Sequence, residues 1–310
     1  MTDQHEHIAK LVEPITNDVL SGAAELALQA ISIFQTLLSE EKSPNIEDLR
    51  SALVVASKAL VEAQPAMAPL FHLSNQILYA ARQPGTDRQV RKNCQEALDR
   101  FEKFLCDSVS KIADQAFDLI PPGELVFAYS FSSTVVSCLL NARARGRYFR
   151  VACSESRPSL EGRKLATHLA NGGIEVIFTF DSAMGLVLPN CSVAFMGCDC
   201  IGIPGLVNKV GSLLLALACR DMGIPLYALC GTEKFVTDDR LFEFENHERP
   251  GSEVWEEPPK GVKVLNKQFE LIPLKYLSGV VTEQGIVTEQ NLAKYLSNLP
   301  VHEALKVAPV

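Results

Sequence analysis

The spacing of apolar residues changes near the middle of the chain. From about residue 8 to residue 120, apolar residues recur every three or four positions, which is the spacing of amphipathic helices. The side chains of such a stripe pack into a core, so we interpret Met67 and His72 as packing residues. The stripes predict three helices, which begin near Ala23, after Pro44-Asn45 and near Pro69.

A fourth and longer helix is predicted after the break at Gln83-Pro84-Gly85. Thr86 and Gln89 have the spacing of a capping box, in which the two side chains satisfy backbone N–H groups of the first turn. The apolar stripe of this helix runs from Val90 to Ala116. Pro121-Pro122-Gly123 then ends the helical half, so we expect two domains that meet there.

Short β-rich runs alternate with helical stretches in the second half of the chain. Their unbroken apolar character is typical of strands that are covered on both faces, which indicates a parallel sheet built from βαβ units. We interpret the Pro- and Glu-rich segment from His247 to Lys260 as an exposed loop. The expected strands are Leu125–Tyr129, Phe149–Cys153, Val176–Thr179, Val193–Met196 and Leu226–Cys230, with Phe269–Ile272 and Val280–Thr282 completing the same sheet.

Polar residues follow five consecutive predicted strands. Ligands of open parallel sheets bind beyond the carboxyl ends of the strands, where these residues would lie together. Five polar strand ends in succession are better explained by a binding site than by ordinary loops. The segments are Ser130 to Ser133, Ser154 to Pro158, Asp181-Ser182, Gly197 to Asp199 with Asn208 to Ser212, and Gly231 to Phe235.

The residue types at these strand ends suit a phosphorylated ligand. Arg157 and Lys209 are the expected anion contacts, because guanidinium and ammonium groups both bind phosphate. Gly211, near a helix start, would add backbone N–H donors. Asp181 and Asp199 would hold sugar hydroxyls or move protons. Ser182, Asn208 and Lys234 complete the candidate ligand contacts.

Each of these residues also has a plain structural alternative. Arg157 could form a local ion pair with Glu155, which is about as frequent a role for such a residue as phosphate contact. Asp199 could cap a helix, and Lys209 could lie at a solvated helix end. Cys198 and Cys200 form a C-x-C pair with Cys191 nearby, but three thiols without a histidine are a weak zinc site, so we expect no metal.

Composition and charge narrow the class of protein. The 310 residues are 47% hydrophobic and carry a formal charge of −8, so we expect neither direct nucleic-acid binding nor a membrane-spanning segment. No signal peptide is evident, and the nine scattered cysteines fit reduced thiols in the cytoplasm. Without a G-x-G-x-x-G after the first strand or a P-loop, a nicotinamide dehydrogenase or a standard NTPase is not indicated, and we expect no cofactor.

Taken in order, the motifs resemble one family. It contains the alpha, beta and delta subunits of eukaryotic translation initiation factor 2B, together with ribose-1,5-bisphosphate isomerase and methylthioribose-1-phosphate isomerase. The resemblance extends over about residues 15 to 295 and is looser in the helical half, where Ser21 to Glu25 matches best. The motifs are Ser154 to Pro158 with Glu161-Gly162, Asp181-Ser182-Ala183, Gly197-Cys198-Asp199, Asn208 to Gly211, Glu233-Lys234-Phe235 and the tail from Pro273 to Gly285.

This resemblance implies an α/β fold, in which a helical domain at 1–120 precedes a Rossmann-like domain at 121–310 with a mostly parallel sheet. It implies a phosphorylated sugar or nucleotide as ligand and a homo-oligomer, dimer or higher. In the isomerases, a Cys after the first strand and an Asp after the fourth transfer the protons. Asp199 matches that Asp, but Ser130 stands in place of the Cys, and Ser21 stands where the isomerases have a phosphate-binding Arg.

Three functions therefore remain open from the sequence. The first is a non-catalytic or weakly catalytic ligand-binding protein like the regulatory initiation-factor subunits, which Ser130 and Ser21 favour. The second is an aldose–ketose isomerase with altered chemistry, which Asp199, Asn208 and Lys209 favour. The third is a stable subunit of a larger complex with related subunits, which rests on the resemblance alone.

Overall fold

The computed structural model describes residues 3–18, 21–39, 45–65, 67–237, 248–296 and 300–306. These residues form two compact units, a helical unit of residues up to 107 together with 300–306, and a sheet unit from 108 to 296. The division falls inside a long helix, whereas the sequence placed the domain boundary at Pro121–Gly123. The reason is that the last turns of this helix supply Ile112, Ala113 and Ala116 to the core of the sheet unit.

Among its described residues the helical unit has five α-helices, and the fifth continues into the sheet unit. Each predicted helix is present, and each predicted apolar stripe lies on a buried face; in the second helix of the unit that stripe includes Leu26, Ala30 and Phe34. Met67 is buried, as the packing interpretation expected. The helices are α1 (Asp3–Asn17), α2 (Ala23–Ser39), α3 (Ile46–Ala63), α4 (Ala68–Arg82) and α5 (Asp87–Phe117).

Side-chain caps begin two of these helices. The Asn45 side chain accepts a hydrogen bond from the Asp48 backbone N–H at 2.9 Å and so caps α3. At α5 only half of the predicted capping box forms, because the Thr86 hydroxyl accepts from the Gln89 N–H at 3.3 Å. The Gln89 side chain donates instead to Asn93, one turn further along the helix, at 3.0 Å.

The C-terminal segment 300–306 packs within the helical unit. The Asn75 side chain donates to the Pro300 carbonyl and accepts from the His302 N–H, both at 2.8 Å. Leu305 is buried. This segment is therefore held by a reciprocal amide contact and by apolar packing.

The described residues of the sheet unit form a seven-stranded sheet in the order β10-β9-β7-β4-β1-β2-β3. All neighbouring strands are parallel except the antiparallel pair of β9 and β10. The α/β prediction with a mostly parallel sheet is confirmed. The strands are β1 (Leu125–Tyr129), β2 (Arg150–Ser154), β3 (Glu175–Thr179), β4 (Cys191–Met196), β7 (Leu226–Leu229), β9 (Gly279–Thr282) and β10 (Gly285–Val287).

Helices follow β1, β2 and β3, another precedes β7, and a last short helix follows β10. From β1 the chain runs through β2 and β3 toward one edge, then returns to β4 on the other side of β1 and continues outward through β7 and β9. The direction therefore reverses between β1 and β4, and the carboxyl ends of these two strands flank a switch point, where ligands of such sheets bind. The helices are α6 (Ser133–Ala144), α7 (Glu161–Asn171), α8 (Met184–Val187), α9 (Ser212–Met222) and α10 (Leu292–Leu296).

One predicted strand belongs to a different sheet. Phe269–Ile272 (β8) was expected in the main sheet, but it pairs antiparallel with β6 (Gly205–Lys209), which in turn pairs with β5 (Cys200–Gly202). The sequence interpretation was wrong here because it predicted no strand between Met196 and Leu226, whereas Cys200–Gly202 and Gly205–Lys209 pair as a hairpin. That hairpin offers β8 a free edge.

The edge strand β3 departs from the expected burial. Its apolar run predicted coverage on both faces, but Phe178 is 45% exposed and Ile177 is also exposed. An apolar run cannot distinguish a central strand from an edge strand. The predicted loop is mostly exposed over 248–260, while His247 lies outside the described residues.

Crossing a bilayer requires a long and continuously apolar helix. No helix among the described residues meets both conditions.

Candidate functional site

Ser130 and Asp199 follow the two strands that flank the switch point. Ser130 comes directly after β1, is only 4% exposed, and has a backbone φ of 60°, in the left-handed region that residues with a Cβ rarely adopt. Asp199 follows β4 and is half-buried, and its N–H donates to the Val207 carbonyl at 2.9 Å. Asp199 precedes β5 rather than a helix, so it is not a helix cap.

A chain of charged and polar contacts connects Ser130 to Lys209. The Ser130 hydroxyl donates to Glu161 Oε2 at 2.5 Å, and Lys209 Nζ donates to Glu161 Oε1 at 3.2 Å and to Ser159 Oγ at 3.0 Å. Lys209 is the last residue of β6 and is 2% exposed, so it is not a solvated helix end. Glu161 therefore links a serine after β1 to a buried lysine of the second sheet.

Glu161 belongs to one of the family motifs but was not predicted as a site residue. The sequence feature that could have identified Glu161 is the glycine that follows it. A Cβ at Gly162 would lie 1.7 Å from the Ser154 carbonyl oxygen. Only glycine lets the start of α7 approach the end of β2 this closely. That close approach places Glu161, the first residue of α7, at the strand ends.

Lys234 brings a second ammonium group to the strand ends, after β7. It is 7% exposed, and no described residue forms a hydrogen bond or an ion pair with its ammonium group. Its charge acts on Asp199 nevertheless. Burial raises the pKa of Asp199 to about 6, the positive charges of Lys234 and Lys209 oppose this rise, and the Glu161 carboxylate adds to it.

Asp181 holds the loop that follows β2. Its Oδ1 accepts from the Ser154 hydroxyl at 2.7 Å and from the Ser156 N–H at 2.8 Å, and its Oδ2 accepts from the Arg157 N–H at 2.7 Å. Both carboxylate oxygens are thus engaged in shaping this loop. Ser182, the next residue, is exposed.

The Arg157 side chain lies on the exposed side of that loop. Its guanidinium donates to the Val254 carbonyl at 3.3 Å. Among the described residues it has no ion pair with Glu155, the structural alternative for this residue. The loop therefore offers an arginine that can turn toward a ligand, because a single long hydrogen bond restrains it.

The start of α9 already has a carboxylate at its N–H groups. Glu270, from β8, accepts from the Gly211 N–H at 2.7 Å and from the Leu213 N–H at 2.8 Å. The sequence offered Gly211 as an anion contact, and a ligand anion there would compete with Glu270. Gly211 is required for another reason, since a Cβ on it would lie 2.0 Å from the Tyr129 hydroxyl oxygen, and its φ is +102°.

Asn208 is fixed beside this helix start. Its amide donates to the Ser212 hydroxyl at 2.9 Å, and that hydroxyl donates to the Lys209 carbonyl at 2.6 Å. Asn208 is buried. Its side chain thus ties the end of β6 to the start of α9 and helps to hold Lys209 in place.

Three buried thiols, Cys198, Cys200 and Cys230, lie close to Lys234, and the first two also lie close to Asp199. Burial raises the pKa of Cys198 and of Cys200, and the pKa of Cys230 is raised by its contact with Cys198 and by burial. Thiols of raised pKa are poor nucleophiles and poor metal ligands. Across the described residues, no group of three or more His, Cys, Asp or Glu side chains is arranged to hold a metal ion.

A cavity of about 600 Å³ lies elsewhere, in the helical unit. The residues that line it include Phe71, His72, Tyr79 and Arg100. The His72 side chain therefore lines a cavity and also packs against neighbouring residues such as Phe71. None of the candidate site residues lines it. The chemistry at the strand ends is therefore distinct from the cavity of the helical unit.

The strand ends combine two buried ammonium groups with several carboxylates. An ammonium without a partner can hold an anion, and a carboxyl with a pKa of about 6 can accept or give a proton near neutral pH. Tyr129 is not suited to proton transfer, because burial raises its pKa further from neutrality. The arrangement can bind an anionic, hydroxylated molecule and has one group suited to proton transfer.

Sequence comparison finds relatives of two kinds. The chain is 32% identical over 284 residues to the putative translation initiation factor eIF-2B subunit 2-like protein of Pyrococcus furiosus, which covers 91% of this chain and 96% of that protein. It is 25% identical over 287 residues to the ribose 1,5-bisphosphate isomerase of Methanocaldococcus jannaschii, covering 91% and 92%. The sequence resembles both eIF-2B-like subunits and the related isomerases.

Solved structures show the same fold. The translation initiation factor eIF-2B of Pyrococcus horikoshii OT3 superposes with a TM-score of 0.78 at 30% identity, over 91% of this chain and 97% of that chain. The 5-methylthioribose 1-phosphate isomerase of the same organism has a TM-score of 0.74 at 19% identity, covering 93% and 87%. A chain of the tetrameric eIF2B-beta2-delta2 complex from C. thermophilum has a TM-score of 0.70 at 20% identity, covering 96% and 95%.

A family model agrees with these comparisons. It matches residues 19–289, which include most of both units and every candidate site residue. The resemblance inferred from the ordered motifs is confirmed. The chain belongs to the initiation factor 2 subunit family.

Proposed function

We propose that the chain binds a phosphorylated sugar or nucleotide at the switch point of its sheet, as a non-catalytic or weakly catalytic relative of the eIF-2B subunits. Lys234 and Arg157 are the proposed phosphate contacts. Lys209, which is paired with Glu161, is proposed as a further contact of the ligand. Asp199, Ser182 and Asn208 are proposed to face the rest of the ligand.

The observation that carries this proposal is Lys234. It is 7% exposed, and no described residue pairs with its ammonium group. Burying a charge without a partner costs free energy, so proteins keep such a group where a ligand or substrate completes it. A phosphate group is a suitable partner because its oxygens accept several hydrogen bonds from ammonium groups.

A thermal-shift screen against phosphorylated sugars and nucleotides tests the proposal. A ligand that binds the folded state alone stabilises it by about 2.7 kcal/mol when present at a hundred times its Kd. We expect a phosphorylated compound to raise the melting temperature while its dephosphorylated counterpart does not. An equal response to both compounds would show that phosphate is not recognised.

Asp199 favours a second candidate function, aldose–ketose isomerisation. Its pKa of about 6 suits a group that gives and takes protons at neutral pH. Two relatives are named as isomerases of ribose 1,5-bisphosphate and of 5-methylthioribose 1-phosphate. Coupled assays on these two substrates test this candidate, and turnover that Asp199→Asn abolishes would establish it.

We also propose that the chain forms a homo-oligomer or joins related subunits. Support comes from the relative whose structure is that of a tetrameric complex of two kinds of subunit. Light scattering on the purified chain, alone and mixed with related subunits, distinguishes the two assemblies. A cytoplasmic location is proposed on the nine free cysteines, which suit a reducing compartment.

A further inference from the structure

Glu161 is more exposed than the lysine that it pairs with. The Glu161 side chain is 21% exposed, whereas that of Lys209 is 3% exposed. Its two carboxylate oxygens contact Lys209 and the Ser130 hydroxyl. A ligand that approaches Lys209 from solvent therefore meets a negative charge before it meets the ammonium group.

This arrangement matters for the charge of the ligand. Two unit charges about 4 Å apart interact strongly at a protein surface, enough to change an affinity by tenfold or more. A phosphate that competes for Lys209 has to displace the Glu161 carboxylate or lie beside it. Lys234, by contrast, has no carboxylate partner among the described residues. The two lysines thus offer unequal anion positions.

We propose that Glu161 determines the charge selectivity of the site, which takes a ligand with one phosphate in preference to a ligand with two. The proposal rests on the binding function proposed above and names the class of ligand for the same site. One phosphate pairs with Lys234. The Lys209 side, neutralised by Glu161, receives an uncharged, hydroxyl-bearing part of the ligand, because a carboxylate accepts hydrogen bonds from hydroxyl groups.

Replacing Glu161 by Gln removes the charge with little change of shape. Glu161 is the first residue of α7, and the close approach of Gly162 to Ser154 sets the backbone there independently of the Glu161 side chain. Glu175 in the edge strand β3 is exposed and provides a matched control, since Glu175→Gln removes the same charge from the same unit away from the strand ends. Melting temperatures without ligand check that each variant is folded.

Calorimetry with ribose 5-phosphate and ribose 1,5-bisphosphate is the first test. We expect the unmodified chain and Glu175→Gln to prefer the monophosphate. Glu161→Gln should shift the ratio of the two affinities toward the bisphosphate by about tenfold or more. The same ratio in all three proteins would overturn the proposal.

Inorganic pyrophosphate provides a second test that does not depend on the sugar. At constant ionic strength, pyrophosphate should raise the melting temperature of Glu161→Gln by more than that of the unmodified chain or of Glu175→Gln. Equal shifts overturn the role of Glu161. If the unmodified chain binds neither sugar phosphate and no phosphorylated compound in the thermal-shift screen, the proposed binding function fails, and the pyrophosphate measurement still decides on Glu161. Glu161→Ala provides a second charge-removing variant if the Gln amide disturbs Lys209.

Discussion

Lys209 and Lys234 are two buried lysines of one site with opposite surroundings. Lys209 is held by Glu161 and Ser159, and Glu161 is held in turn by Ser130. Lys234 is nearly as buried, but no described residue completes its ammonium group. Both lysines are therefore buried, and they differ in whether a carboxylate among the described residues pairs with the ammonium group.

The difference separates a structural ion pair from a binding group. A buried pair in good geometry satisfies its own charges, and removing one partner leaves the other unpaired. A buried charge without a partner in the chain destabilises the free protein until a ligand arrives. The Lys209 side should therefore control the fold and the selectivity, and the Lys234 side should control the affinity.

The largest expected effect concerns isomerase activity on the Lys209 side of the site. Ser130 donates to Glu161, and a hydroxyl is far less acidic than a thiol, whose pKa is about 8.5. We expect turnover of ribose 1,5-bisphosphate or methylthioribose 1-phosphate to be absent or very slow in the unmodified chain. Ser130→Cys should raise it, and general acid–base participation is worth about 10²- to 10⁴-fold in rate. Coupled assays measure both proteins.

The control for this substitution removes the other proton-transfer group. Ser130→Cys combined with Asp199→Asn should return the rate to that of the unmodified chain, since both groups are needed. Ready turnover by the unmodified chain, lost in Asp199→Asn, would contradict the binding function and make the chain an isomerase.

The next effect concerns affinity on the Lys234 side. Lys234→Met should weaken binding of a phosphorylated ligand about ten- to a hundredfold, the range for a lost hydrogen bond to a charged group. Lys260→Met removes the same charge from an exposed loop position and should leave affinity unchanged. Calorimetry on the two variants decides, and equal affinities would remove Lys234 from the site.

Much of the fold was predictable from the sequence because hydrophobic spacing reports local structure directly. The stripe in α2 predicts a helix, and the apolar run of β1 predicts a strand without showing whether that strand is central or at an edge. The hairpin of β5 and β6 was missed because its residues are mixed in polarity and pair with a strand some sixty residues later. Pairing over that distance leaves no local signal, so β8 was assigned to the wrong sheet.

The candidate site was predictable only in part, for a similar reason. Polar strand ends identified Ser130, Asp199 and Lys234, because parallel strands bring their carboxyl ends together. Which carboxylate engages which donor depends on tertiary contacts. Glu161 reaches Lys209 from α7, and Glu270 reaches the start of α9 from β8. No spacing in the sequence indicates either contact.

A smaller effect compares the stability of the two lysine variants. Lys209→Met leaves the Glu161 carboxylate without its ammonium partner, and we expect it to lower the free energy of unfolding by about 2 kcal/mol, less than for a fully buried pair because Glu161 is partly exposed. Lys234→Met removes a charge without a partner and should leave the stability of the free protein unchanged or slightly raised. Urea denaturation without ligand measures both, and equal losses would show that the two lysines do not differ.

The smallest effect is a pH dependence of the free energy of unfolding, which arises from Asp199, a carboxyl group whose charge interacts with both lysines. Burial raises its pKa to about 6 from 3.8, against the positive charges of Lys234 and Lys209 and together with the negative charge of Glu161. Between these two pKa values the folded state keeps a proton that the unfolded state releases. The free energy of unfolding therefore falls as pH rises through this window, and the loss is complete above about pH 6. Asp199→Asn cannot ionise, so it should be more stable than the unmodified chain at pH 7.5, and the advantage should shrink toward zero near pH 4. The full shift corresponds to roughly 3 kcal/mol, and we expect about 1–2 kcal/mol because Asp199 is only half-buried and solvent screens its charge. Urea denaturation at intervals of pH measures the difference. If the difference in stability between the two proteins does not change over this pH range, the Asp199 carboxylate ionises in the folded state at no cost. Asp199 and Lys234 would then stabilise each other's charges without a ligand.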